Sequence, residues 1–348
     1  MRNSFRRAVK AAKTQCHPMS LANDNRSCYI QLMSKTEASW PATVPEKILY
    51  AICALASWSV RIWPRKAQLF FGDILGEFAL LFAGYRKEVA IKNFKIAFPE
   101  MTDEECKKML HKHFRHLGRL VLEYMISFTI RKSDFDNWFV APDTTPLKEA
   151  VAEGKGAILL GTHMGPCDVG VVMTQLAGFP LVLVGKRTPI HWVTRLLFGM
   201  REIHGVEALP EERVVTDIIR ALKKNKIVVM VMDQYLGPPQ GVMSKFFGQE
   251  TGTSQGVAVF ADRFKVPVVP VWSFRREDGR IELVVEKRLD LTGLNQEQIT
   301  QKCNDEIEKM VRRVPEQWFW VHKRWKPFAG LRTDAYGLEI NREYHSRQ

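Results

Sequence analysis

The segment Ala157-Ile158-Leu159-Leu160-Gly161-Thr162-His163-Met164-Gly165-Pro166-Cys167-Asp168 decides the fold. Four apolar residues between glycines read as a strand buried on both faces, as in a parallel sheet. Pro166 suits the first turn of a helix, so the segment reads strand, turn, helix. Working outward, short β-branched runs recur at Leu181–Gly185, Ile227–Met232, Val266–Val271 and Ile281–Glu286. Between and after them lie helical stretches near 167–177, 190–202, 211–224, 254–264 and 294–313. Strand–helix alternation with near-continuous apolar strands predicts an α/β domain over residues 141–330, with a central, largely parallel mixed sheet flanked by helices.

In open α/β sheets, ligands bind beyond the carboxyl ends of the strands. His163 and Asp168 therefore stand where an active site belongs. Five residues apart, they would point different ways on a regular helix. The Gly165-Pro166 turn breaks that regularity and can return the carboxylate to the imidazole. A histidine held by a carboxylate is a general base: the acid fixes its tautomer and stabilises the imidazolium as it forms. No G-x-S-x-G nucleophile elbow is present, so the base would act directly on a substrate hydroxyl. Cys167 sits inside the motif. A thiol nucleophile paired with His163 is one reading, and a half-buried structural thiol is the other.

Two more strand ends carry polar groups. Lys186 and Arg187, ahead of Thr188-Pro189, can hold a phosphate or sugar-acid carboxylate, Arg187 through its fork and Lys186 as a point charge. A solvated basic turn is the plainer reading, and Arg201 in the next helix is another cation in line. The spacing is not that of a phosphate-binding Walker loop. Asp233 and Gln234, at the exit of the 227–232 strand, read as substrate contacts, with the Gly/Pro run 237–241 as a covering loop.

The amino-terminal part differs in texture. Residues 1–44 lack sustained periodicity and read as a poorly ordered extension. Residues 45–140 read as a membrane-associated helical region. Ile48–Val60 is uncharged but shorter than the roughly 20 residues of a straight bilayer span. Trp58, Trp63, Arg61, Arg65 and Lys66 resemble interface anchors. Leu69–Ala83 is apolar almost all round apart from Asp73 and Glu77, so it is buried or lies in lipid. Two core helices of a soluble domain are the alternative. Residues 331–348 form a carboxyl-terminal tail.

The net charge of +13, from 51 Lys plus Arg against 38 Asp plus Glu, signals a polyanionic partner without choosing one. The six cysteines are far apart, which argues against a zinc ribbon or a disulfide scaffold. His111, His113 and His116 cluster locally, but 111 and 113 face opposite sides of a helix, so no metal site is expected. Trp318 to Lys326 mixes aromatic and basic residues, which describes either base stacking or a helix resting on lipid headgroups. Polar clusters converging at three strand ends speak against a nucleic-acid or membrane-binding module without catalysis.

Taken together, the chain resembles the bacterial lipid A late acyltransferases, within the wider group that shares a His-x-x-x-x-Asp motif with glycerolipid acyltransferases. The likeness covers roughly residues 45–328. It runs through Arg86–Phe94, Ala97–Glu100, His163-x-x-x-x-Asp168, Arg187, Asp233-Gln234, Phe246-Phe247-Gly248 and His322-Lys323-Arg324, in order. It differs after the histidine, where many members carry Phe-Gly-Asn-Trp-Glu and this chain carries Met164 to Asp168.

The resemblance implies an enzyme of the inner membrane's cytoplasmic face, without metal or nucleotide cofactor. It would move an acyl chain from acyl carrier protein or acyl-CoA to a hydroxyl of a phosphorylated lipid acceptor at an anionic membrane. His163 would be the base, Asp168 its orienting carboxylate and Arg187 a binder of acceptor phosphate. A related acyltransferase serving a glycerolipid, aminolipid or glycolipid fits the same residues.

Overall fold

A computed structural model describes residues 44–185, 191–209 and 214–326. The readings made for the extension before Val44, for Lys186 and Arg187, and for the tail 331–348 lie outside the described residues.

Helices come first: α1 (Val44–Arg61), α2 (Arg65–Phe82), α3 (Tyr85–Ala97) and α4 (Asp103–Ser127). The short α5 (Phe135–Trp138), strand β1 (Phe139–Val140) and α6 (Thr145–Ala152) follow. From there strands and helices alternate as β2 (Ala157–Gly161), α7 (Cys167–Leu176), β3 (Leu181–Val184), α8 (His191–Ile203), β4 (Glu207–Leu209), α9 (Val214–Lys223) and β5 (Ile227–Val231). A hairpin of β6 (Gly241–Phe246) and β7 (Gln249–Ser254) precedes α10 (Gly256–Phe264). The last elements are β8 (Val268–Arg275), β9 (Ile281–Val285) and α11 (Gln296–Arg313).

Among the described residues the main sheet has seven strands in the order β1-β9-β8-β2-β5-β3-β4. Every neighbouring pair is parallel except β8–β9. The expected helix-flanked, largely parallel sheet is thus present. Every residue of β2 and β8 is buried, the reason β2 and the first half of β8 read as apolar runs.

Three features escaped the sequence pattern. β1 and β4 are too short to show a period. The β6–β7 hairpin carries Ser244, Thr251 and Thr253 inward, polar residues that give no apolar strand signal. They are buried because Asn304 donates to the Ser244 hydroxyl (2.9 Å), and the Arg324 guanidinium donates to that of Thr253 (2.6 Å). The stretch after α11 is also not a helix lying on headgroups. After a 3₁₀ turn (Pro315–Gln317) it is a non-helical strap of turns and bends whose Trp318, Trp320 and Trp325 are buried in the core.

The cap of α4 is Thr102, with Glu105 completing a capping box. α2 lies against α4 through Gln68, Gly72, Gly76 and Leu80, spaced by four on one stripe. The approach is backbone to backbone. A Cβ on Gly76 would fall 2.1 Å from the Phe114 carbonyl oxygen, and one on Gly118 would fall 2.1 Å from that of Gly72. The acids that interrupt this apolar helix are matched across the contact, Asp73 by Arg119 (2.6 Å) and Glu77 by Arg115 and by His111 (2.7 Å). Phe70, Phe71, Ile74, Phe78, Leu81 and Phe82, on the remaining surface, are exposed.

A methyl group at Gly76 or Gly118 should therefore push the two helices apart. Gly118→Ala is expected to cost about 1–3 kcal/mol, read as a lower melting temperature of the purified protein. A melting temperature equal to wild type would mean that the helices do not touch there.

Candidate functional site

β2 and β5 are parallel neighbours with Gly161 opposite Val231. Two residues beyond those ends the chains place His163 beside Asp233. His163 Nδ1 lies 2.8 Å from Asp233 Oδ1. An ionised carboxylate can only accept, so Nδ1 carries the proton and Nε2 keeps its lone pair. The other oxygen, Asp233 Oδ2, accepts from the Thr162 hydroxyl (2.6 Å), the His163 amide (2.8 Å) and the Trp318 indole (2.8 Å).

Burial by itself would raise the Asp233 pKa. The charge of His163 and hydrogen bonds from His163, Thr162 and Trp318 outweigh it and hold the carboxyl well below the usual range. The same burial would lower His163. The charge and hydrogen bond of Asp233 outweigh it, with help from Asp168, so the imidazole pKa is raised despite opposition from Arg201. The His163 side chain is 36% exposed while that of Asp233 is 1% exposed, so the pair presents only the imidazole outward.

This geometry corrects two expectations. The carboxylate hydrogen-bonded to His163 is Asp233, not Asp168. Asp233 is also not an open substrate contact, since it is buried beneath the imidazole. Asp168 instead accepts at Oδ1 from Arg201 Nε (3.0 Å) and Nη2 (2.8 Å). The turn at 164–166 explains why. Gly165 has φ +56°, and a Cβ there would lie 2.0 Å from the Ser273 carbonyl oxygen. The Gly165 amide donates to the Gln317 carbonyl, and the Ser273 hydroxyl to the Pro166 carbonyl. Clamped between β8 and the strap, this turn starts α7 with Asp168 directed at Arg201 on α8.

Gln234, expected at the site, is there: its Nε2 lies 3.5 Å from His163 Nε2. Trp318 was not foreseen as part of the site. Its only sequence signal is an aromatic residue in a basic stretch, while its partner lies 85 residues away.

Cys167 is half-buried. Burial first, then the neighbouring Asp168 charge, pushes its thiol up to about 12, which keeps it protonated at neutral pH and unsuited to nucleophilic attack. The three histidines of α4 go to separate partners. His111 pairs with Glu77, His113 with the Glu316 carbonyl (3.1 Å) and His116 with Arg275 (3.1 Å).

The family model described as "Bacterial lipid A biosynthesis acyltransferase" matches residues 35–327. The lipid A biosynthesis palmitoleoyltransferase of Escherichia coli K12 is 26% identical over 278 residues, covering 76% of this chain and 86% of the relative. The lipid A biosynthesis lauroyltransferase of the same organism is 24% identical over 274 residues, covering 77% and 88%. A lipid A biosynthesis acyltransferase of Haemophilus influenzae is 23% identical over 236 residues, covering 66% and 72%.

The state of Cys167 is directly measurable. In the folded protein at pH 7.5, iodoacetamide should label Cys167 at least about tenfold more slowly than in the denatured chain, since only the thiolate reacts. Equal rates, read by mass spectrometry, would show an activated thiol.

Proposed function

The chain belongs to the bacterial lipid A biosynthesis acyltransferases, and we propose that it moves a fatty acyl chain from a thioester donor to a hydroxyl of a lipid A precursor. The donor is acyl carrier protein or acyl-CoA. The observation that carries the mechanism is the His163–Asp233 pair, a half-exposed imidazole whose Nδ1 is occupied by a buried carboxylate.

With Nδ1–H fixed on Asp233, Nε2 takes the proton of the acceptor hydroxyl as its oxygen attacks the thioester carbonyl. Gln234, beside Nε2, orients that hydroxyl. The tetrahedral intermediate collapses, the carbon–sulfur bond breaks, and the imidazolium returns its proton to the departing thiolate. Ester and thiol are the products. Asp233 stabilises the imidazolium during this cycle. Asp168 supports it at longer range and is itself held by Arg201. Lys186 and Arg187 keep the role their motif suggests, binding acceptor phosphate.

Residues 45–140 are assigned to the surface of the inner membrane, on its cytoplasmic side, and residues 141–330 to catalysis. No single helix among the described residues is long and apolar enough to cross a membrane. The assignment rests instead on exposed apolar side chains: Ile52, Leu55 and Trp58 on α1, and Phe70, Ile74, Phe78 and Leu81 on α2.

His163→Ala should lose about 10²–10⁴ in kcat/KM, measured as acyl transfer from acyl carrier protein to a lipid A precursor. Because the folded pKa of His163 lies above its usual 6.5, activity should fall on acidification with a midpoint above that value. Asp233→Asn removes the largest raising influence, so its residual activity should show a midpoint displaced to lower pH. Near-wild-type transfer by His163→Ala would remove the assignment.

The membrane assignment has its own check. The full chain should float with anionic vesicles and stay bound in high salt, because apolar burial is not screened. Release by salt would return α1 and α2 to the status of ordinary surface helices.

A further inference from the structure

We propose that His322 and Lys326, on the strap that follows α11, form a phosphate-binding subsite beside His163. This extends the acyl-transfer reading and rests on it for the identity of the substrates.

The strap is pinned along the site by three contacts. The Phe319 amide donates to the His163 carbonyl (3.1 Å). The Trp318 indole donates to Asp233. The Arg324 guanidinium donates to the Gly252 carbonyl and, at 3.4 Å, to that of Gln234. These contacts carry His322 and Lys326 along the segment that bears Asp233 and Gln234. Lys326 Nζ lies 5.3 Å from the ring centroid of Tyr235, the next residue of that segment. His322 is close enough to His163 and Asp233 for both charges to act on it.

Apart from Asp233, whose oxygens are taken by Thr162, His163 and Trp318, the groups here are cationic or neutral donors. His322 Nδ1 is buried with no hydrogen-bond partner. Among the described residues no carboxylate pairs with Lys326, although Lys-to-acid pairs occur elsewhere in the chain. Burial and the nearby Lys323 together lower the Lys326 pKa, and burial followed by Lys326 takes His322 down to about 4. A half-buried ammonium beside another cation and an unsatisfied imidazole nitrogen is an unfavourable arrangement unless an anion joins it. A phosphate oxygen accepts from the ammonium and from a His322 Nδ1–H together, which relieves the repulsion and satisfies the orphaned atom. Both candidate substrates can bring phosphate to His163: the acceptor as a sugar phosphate, the donor as the phosphodiester of its pantetheine arm.

The experiment uses the full chain with Lys326→Met, and with Lys326→Arg as the variant that keeps the charge. If the phosphate is the acceptor's, Lys326→Met should raise KM at least about tenfold for the phosphorylated lipid A precursor but not for its dephosphorylated form. If it is the donor's, KM should rise for acyl carrier protein but not for an acyl-pantetheine thioester lacking phosphate. In both cases Lys326→Arg should recover part of the loss. Unchanged KM for every substrate, or equal changes with and without phosphate, would overturn the subsite.

A second readout needs neither turnover nor a variant. Acetic anhydride labelling of Lys326 in the wild-type chain, followed by mass spectrometry, should slow at least about threefold with glycerol 3-phosphate and not with glycerol. Equal labelling in the two would overturn the proposal even if Lys326→Met fails to fold. If labelling is protected while the protein transfers no acyl group to lipid A precursors, the subsite stands and the acyl-transfer reading fails.

Discussion

The buried carboxylate of Asp233 is the constraint around which the carboxyl ends of the central strands are arranged. A charge out of water persists only when hydrogen bonds replace its hydration. Its donors come from two regions far apart in sequence: Thr162 and His163 beyond β2, and Trp318 on the strap. Satisfying one anion thus fixes the ends of two central strands and a segment 85 residues further on. The turn after His163 is held by the same neighbours, with Met164 bridged to Trp318 and the Gly165 amide on the Gln317 carbonyl. Positioning His163 and closing the core are therefore one structural event.

A second buried charge joins the helical region to the sheet. Glu123 on α4 accepts from Arg275 at the end of β8 (2.7 Å) and from Arg65 at the start of α2. Arg275 also binds His116, and its backbone exchanges hydrogen bonds with the Gln317 side chain at 2.8 and 2.7 Å. Removing one member would strand the others in the interior, where an unpaired charge is costly. The network fixes how α2 leaves the sheet. Against α4 the helix spends the stripe from Gln68 to Leu80 and the acids Asp73 and Glu77, which leaves Phe70, Ile74, Phe78 and Leu81 exposed.

The site itself is divided by sign. On one side of His163, Asp168 and Arg201 neutralise each other within hydrogen-bond distance. On another, the strap brings His322 and Lys326 with no acid paired to the ammonium among the described residues.

The sequence alone was enough to establish the α/β class, the central strands, the helices between them and the strand-end position of His163. Those follow from local periodicity, because a strand covered on both faces is apolar over most of its length. It also marked Asp233 and Gln234 as belonging to the site. What it could not assign was partnership. Spacing within one motif pointed from His163 to Asp168. The parallel register of β2 and β5 puts Asp233 closer, and no local pattern encodes which residues of two distant strands lie opposite one another. The same limit hid the Asp168–Arg201 pair, the burial of the Trp318 strap and the polar interior of the β6–β7 hairpin. Each depends on a partner supplied from elsewhere in the chain, and only folding brings those partners within hydrogen-bonding reach.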